Sequence, residues 1–294
     1  MHYNGPIVRP PHEAYSVMLE VTVGCTHNSC RFCSFYHGVH FHMSSLSQVE
    51  EDLREARRHD SEAKRVWMVG GDPFSMSTNK LKTLAKLIHR YLPKANIATY
   101  ARVSSTFHKT VEELRELRAM GINDLVIGIE SGDDEALKQM NKGYTSADIL
   151  RECHKLEEAG INYYAIFLGG LAGHGNGTRN AENTAAVLNQ LHPSHIYMTS
   201  VAVLPDTKLY EDVRNGKFQE AGELERIKET LTLIKLLKNP ITIYGQSVAN
   251  PVSFSARLPE QREKLITELE RIIASFNERD EAQLRRYRES LHSV

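Results

Sequence analysis

Three of the four cysteines in this chain fall within one short stretch, Gly24-Cys25-Thr26-His27-Asn28-Ser29-Cys30-Arg31-Phe32-Cys33. The spacing C-x4-C-x2-C, directly after an apolar run, puts three thiolates on a loop short enough to converge on one iron–sulfur cluster. Three protein ligands would leave a fourth iron open to a small molecule. The other chemistry such a loop supports is a structural zinc site completed by His27, His37 or His40. Four cysteines in 294 residues do not build a disulfide framework, so the clustering reads as metal ligation in a reducing compartment. The fourth, Cys153, sits in a predicted helix and reads as a small, semi-buried apolar residue.

Further along lie Gly70-Gly71-Asp72-Pro73, Glu130-Ser131-Gly132, Asn141-Lys142-Gly143 and a glycine-rich run from Gly169 to Gly177. Each alone is a turn signal. Their meaning comes from the elements that position them. Apolar runs predict strands over 16–23, 65–69, 96–102, 124–130, 162–168 and 195–203, and amphipathic periodicity predicts helices over 47–58, 78–91, 110–120, 146–159 and 179–191. Ser47, with Glu50 three residues on, reads as the N-cap of the first helix, and Gly121 and Gly160 stand where C-cap glycines belong. Strands alternating with helices predict a parallel α/β sheet, as a partial barrel or, failing that, an open doubly wound sheet. In either geometry ligands sit at the C-terminal ends of strands, where the cysteines, the glycine pair and Glu130 all fall.

Composition narrows the function. Lys and Arg (36) nearly balance Asp and Glu (37), for a net charge of -1, so no global field gathers phosphates, and a nucleic-acid substrate is not favoured. No apolar run reaches the roughly 20 residues of a membrane span, and Met1 to Pro11 lacks the apolar stretch of a signal peptide, so a cytoplasmic protein is expected. The predicted organisation is an N-terminal segment (1–15), a core (16–212) and a C-terminal extension (213–294) covering the mouth of the barrel. The extension holds a helical stretch (223–238), a short apolar run (241–244) and charged helices after Pro259. The segment 278–290 reads as a solvated surface helix because its Arg and Glu residues interleave.

Taken in order, the motifs resemble the radical S-adenosylmethionine (SAM) superfamily, in the branch similar to oxygen-independent coproporphyrinogen oxidases and Elp3-like proteins, from about Ser16 to Tyr210. The usual loop there is C-x3-C-x-aromatic-C; this chain keeps Cys30-Arg31-Phe32-Cys33 and carries one extra residue in the first gap. The resemblance implies a partial (β/α)6 barrel with a mostly helical C-terminal extension. It implies a [4Fe-4S] cluster on Cys25, Cys30 and Cys33, and SAM chelating the open iron. Gly70, Gly71 and Asp72 match the turn that receives the SAM ammonium. Glu130 and Ser131 match the stretch that meets the ribose hydroxyls, and Lys142 matches the cation that pairs with the SAM carboxylate. Phe32, Leu168 and Leu204 fall in stretches that line the cofactor, and Arg102 stands where relatives often place a ribose-binding carboxylate. The implied activity is reductive cleavage of SAM to a 5'-deoxyadenosyl radical that takes hydrogen from a small-molecule or peptide substrate. An external donor such as flavodoxin or ferredoxin supplies the electron. The alternative is a non-catalytic Fe–S or zinc protein acting through a partner.

Anaerobically reconstituted protein is expected to hold about four irons per chain, as one cluster requires. Cys25→Ala, Cys30→Ala and Cys33→Ala should each abolish this iron, and Cys153→Ala should leave it unchanged, as read by iron and sulfide analysis.

Overall fold

The computed structural model describes residues 1–292; residues 293 and 294, the end of the expected extension, lie outside the described residues. In chain order the elements are β1 (Val17–Glu20), β2 (Thr22–Val23), β3 (His42–Met43), α1 (Leu46–His59), β4 (Arg65–Val69), α2 (Thr78–Tyr91), β5 (Asn96–Arg102), α3 (Val111–Ala119), β6 (Ile122–Glu130), α4 (Asp134–Gln139), α5 (Ser146–Ala159), β7 (Asn162–Gly169), α6 (Gly177–Leu188), β8 (His195–Ser200), α7 (Lys208–Arg214), α8 (Glu223–Leu236), β9 (Ile241–Gly245), β10 (Phe254–Leu258), α9 (Arg262–Ser275) and α10 (Glu278–Glu289). They form two compact units. The first contains Met1–Asn28, Phe35–Ile127 and Glu152–Tyr163; the second contains Ser29–Ser34, Gly128–Arg151 and the chain from Tyr164 onward.

In the first unit, strands β1, β4, β5 and β6 lie side by side in that order. Val17 pairs in parallel with Val66, and Arg65 with Asn96. Leu19, Val66, Trp67, Met68, Ile97 and Ala98 are fully buried, which is why these strands read as continuous apolar runs rather than alternating ones. Helices α1 and α2 turn an apolar stripe inward through Val49, Leu53 and Ala56, and through Leu81, Leu84, Ala85 and Ile88, at helical spacing. The start of α1 differs from expectation. Ser45, in extended conformation, accepts the Gln48 amide at 3.2 Å, and Ser47 already lies in the first turn. Gly121 and Gly160 do take the left-handed conformation that ends a helix (φ +83° and +73°). Cys153 is buried against Tyr163, and burial pushes its thiol up to about 12, consistent with a packing residue.

In the second unit β7, β8 and β9 are parallel neighbours, with β10 antiparallel on β9. The run expected to be a short apolar segment of the extension is therefore β9, a paired strand, and β10 follows it before Pro259, where no element was expected; α8, α9 and α10 make up most of the rest. Helix α10 is not wholly solvated. Arg288, 7% exposed, forks onto the buried Glu223 carboxylate through two bonds of 2.6 Å and donates to the carbonyls of Val201 (3.2 Å) and Ala249 (2.7 Å). One inward arginine in a helix of charges leaves no mark on its pattern. Among the described residues no helix is long and apolar enough to cross a membrane.

Removing one partner of a buried ion pair strands the other. Arg288→Ala is expected to lower unfolding stability by roughly 3–5 kcal/mol, measured by denaturant titration, and Arg285→Ala in the same helix should be nearly neutral.

Candidate functional site

In the first unit the Gly70-Gly71 turn is built for close approach. A side chain at Gly70 (φ +140°) would collide with the Thr22 hydroxyl and carbonyl. A side chain at Gly71 would meet the Tyr36 ring and the carbonyl of Gly24. Only glycine fits. The Gly71 amide donates to the Gly24 carbonyl at 2.9 Å, which ties this turn to the residue before Cys25. Asp72, 1% exposed, accepts from the hydroxyls of Thr26 (2.6 Å) and Ser105 (2.5 Å). Its carboxyl is pushed up by burial, against which these two hydroxyls pull. The 3-10 turn Val103–Thr106 that carries Ser105 is braced by Arg102, whose amide donates to Ser105 Oγ at 3.0 Å and whose guanidinium donates to Ser104 Oγ at 2.8 Å. Cys25 is a free, half-buried thiol that burial pushes up.

In the second unit the other half of the cysteine loop is pinned from several sides. The Asn141 side chain donates to the Ser29 carbonyl and hydroxyl (2.9 and 3.1 Å), the Arg31 amide donates to the Met140 carbonyl (3.1 Å), and the Leu209 amide donates to the Arg31 carbonyl (2.8 Å). Arg31 pairs with Asp212 at 2.5 Å. Cys30 and Cys33, both partly exposed, are joined by the Cys33 amide donating to the Cys30 carbonyl at 3.2 Å. Beside them Lys142, 4% exposed, contacts Glu130 Oε1 at 3.1 Å, and its ammonium lies 5.4 Å from the ring centres of both Phe32 and Tyr144. Glu130 Oε2 is buried with no hydrogen-bond partner, and Glu130 stands in the left-handed region (φ +66°). That conformation costs about 1–3 kcal/mol and persists where the surroundings over-determine it. Leu168 and Leu171 pack with Met140, Val201, Leu209 and Phe218, with Phe32 against the cluster's edge, and Leu204 is buried nearby in sequence at 2% exposed.

Sequence reasoning missed the scaffold behind Glu130. Ser131 Oγ donates to Asn180 Oδ1, Asn180 Nδ2 donates to Glu229 at 2.6 Å, and the other Glu229 oxygen accepts the Gly170 amide at 2.6 Å. Gly132 donates its amide to Thr184 Oγ1 at 2.8 Å. Burial pushes Glu229 up to about 7. Arg226, fully buried, donates to the carbonyls of Gly169 and Val201 at the ends of β7 and β8. Nothing in the charged pattern of α8 marks these two residues as inward-facing. Thr26, inside the cysteine loop, and Ser105 were equally silent.

Among the described residues no three His, Cys, Asp or Glu side chains are gathered into a metal-ion set, for zinc or for iron. What separates the two is the polar cradle of Glu130 and Lys142 beside an aromatic ring of the loop, which a structural zinc does not need. The radical SAM superfamily model matches residues 19–188, more than half of the sequence. The chain belongs to the radical SAM superfamily. Members use a [4Fe-4S] cluster and SAM, and these are the cofactors of this chain. The chain is 24% identical over 202 residues to the heme chaperone HemW of Bacillus subtilis, covering 66% of this chain and 52% of that protein. It is also 24% identical over 250 residues to the tRNA-2-methylthio-N(6)-dimethylallyladenosine synthase of Neorickettsia sennetsu, covering 78% and 51%. It thus spans about half the length of the curated relatives it matches. Among solved structures, the radical SAM enzyme coproporphyrinogen III oxidase (HemN) of Escherichia coli aligns with a TM-score of 0.55 at 18% identity, covering 75% of this chain and 52% of that one. The α/β, mostly parallel radical SAM fold and the expected branch both agree with the sequence reading.

The donor set fits the cofactors: three cysteines on one loop, and a buried Glu130 carboxylate oxygen without a hydrogen-bond partner, able to accept a ribose hydroxyl. Glu130→Gln and Lys142→Met should each keep the cluster's visible absorbance and weaken SAM binding by roughly 1–3 kcal/mol, read by equilibrium dialysis.

Proposed function

We propose that this chain is a radical SAM enzyme, with Cys25, Cys30 and Cys33 as the cluster's ligands. The observation that carries the reading is the buried, unpartnered Glu130 Oε2 held against Lys142 beside the cysteine loop, in a chain of this superfamily. When bound, the cluster and SAM supply one-electron cleavage of the sulfonium, giving methionine and a 5'-deoxyadenosyl radical that abstracts hydrogen from substrate. The protein's part is binding and orientation. Glu130 accepts the ribose hydroxyls, and Lys142, held by Glu130 at 3.1 Å, serves as the cation for the SAM carboxylate. Gly70 and Gly71 bring backbone to the ammonium, with Asp72 as its counter-charge; Arg102 holds the turn that holds Asp72. Within the second unit Phe32 packs on the apolar cluster that holds Leu168, Leu204 is buried, and Ser131 locks the backbone at Glu130 through Asn180.

The substrate class we favour is a small molecule or peptide, with the electron coming from a flavodoxin- or ferredoxin-type donor. The tRNA-modifying relative acts on tRNA by its name, but here overall charge is balanced, and Arg226 and Arg288 spend their guanidinium groups on internal carbonyls and carboxylates. Submicromolar binding of bulk tRNA at physiological salt would overturn that choice. A second reading follows from HemW, a heme chaperone by name: a cluster- and SAM-binding protein that acts through a partner or a bound tetrapyrrole without turning SAM over.

One assay separates the two. Reconstituted protein given SAM and dithionite should release 5'-deoxyadenosine and methionine in equal amounts, and Glu130→Gln should release far less. SAM bound but intact after reduction would support the chaperone-like reading.

A further inference from the structure

The first unit holds a cavity of about 420 Å³ that shares Thr26 and Asp72 with the cofactor motifs and extends beyond them to the start of α2 and to Lys109. It is lined by side chains from four places in the sequence: Thr26 of the cysteine loop, Ser75 and Ser77 before α2, Ser104 and Ser105 after β5, and Lys109 before α3, with Asp72 and Glu113 at its walls. The lining is hydroxyl-rich, and one member is unusual. Lys109 is 7% exposed. Its ammonium donates to the Ser105 carbonyl at 2.9 Å and lies 5.0 Å from the Phe74 ring centre, and among the described residues no carboxylate lies within ion-pair distance of it.

The two carboxylates nearby are committed elsewhere. Asp72 accepts from Thr26 and Ser105. Glu113 accepts the Thr110 amide at 2.9 Å in the capping box that starts α3. Lys155, the neighbouring cation, is taken by Glu152 at 2.5 Å and by the carbonyls of Thr106 and Lys109. A buried ammonium with carboxylates only beyond ion-pair distance is costly; burial pulls Lys109 down to about 8, against the opposing pull of Asp72 and Glu113. Ser77, the N-cap of the 14-residue α2, makes no side-chain hydrogen bond to the helix's first turn, and Ser77 and Thr78 at that helix start line the same cavity, where first-turn amides have no intrahelical acceptor.

We propose that this cavity seats the anionic group of a small-molecule ligand, a carboxylate or a phosphate, with Lys109 as its counter-ion. The anion takes the ammonium donors that Ser105 leaves unused, and the hydroxyls of Ser77 and Ser104 and the first-turn amides of α2 complete its shell. That the ligand is the substrate rests on the radical SAM reading; that an anion binds here does not. The assignment gives the substrate a chemical class: a small organic acid or phosphate ester.

Equilibrium dialysis of the anaerobic, cluster-loaded protein tests it, with labelled inorganic phosphate and labelled succinate as the two probes at constant ionic strength. Wild-type protein should bind one equivalent of at least one of them; phosphate preferred marks a phosphate site, succinate preferred a carboxylate site. Lys109→Met should lose that binding by tenfold or more, about the weight of one charge-assisted contact, and Lys109→Arg should restore much of it. Iron content and the far-ultraviolet circular dichroism spectrum, measured on the same samples, should match wild type in Lys109→Met, which shows that the variant is folded and keeps this outcome separate from the SAM chemistry. If Lys109→Met fails to fold, Ser77→Pro, which crowds the start of α2 without touching the lysine, should weaken the same binding several-fold. Neither anion binding, or equal binding by wild type and variants, overturns the proposal.

Discussion

A loop that must present three thiolates cannot be helix or strand, so its backbone polar groups have to be satisfied by side chains and termini brought from elsewhere. Much else in the chain serves that constraint. Asn141 holds Ser29, the Met140 carbonyl holds Arg31, and the first turn of α7 reaches the Arg31 carbonyl through Leu209. On the other side of the loop, Gly71 can reach the Gly24 carbonyl only because neither residue of its glycine pair has a side chain. Each of these contacts offsets part of the entropy cost of ordering the loop.

A second consequence concerns charge. Glu130, Lys142, Asp72, Glu229 and Arg226 are all largely removed from water, and each needs a partner to stay there. Asp72 is served by hydroxyls, Glu229 by two amides, and Arg226 by carbonyls and Glu220. Glu130 is served on one oxygen only, and it stands in a strained backbone conformation. A buried carboxylate oxygen left without a hydrogen bond is costly, and Glu130 Oε2 is such an oxygen.

The fold was legible where burial writes itself into periodicity. Strands β4 and β5 and helices α2 and α5 begin and end on the residues the pattern predicts, because each buries a continuous run or stripe. The extension was harder. β10 alternates exposed and buried residues around Arg257 and looks polar, and α7 follows a turn with no amphipathic stripe long enough to read. At the site, the cysteines and Lys142 were visible because spacing and family motifs mark them. Asn180, Glu229 and Arg288 were not, because a buried polar side chain in a charged helix differs from its solvated neighbours only in what it touches.

The central claim is that three cysteines leave one iron open and that SAM binds it. Electron paramagnetic and electron–nuclear double resonance of the dithionite-reduced protein, with and without SAM carrying ¹⁵N at its amino group, tests it directly. The account predicts a four-iron cluster signal whose g-values move when SAM is added, with hyperfine coupling to the labelled nitrogen. A signal indifferent to SAM, or one without nitrogen coupling, would contradict it.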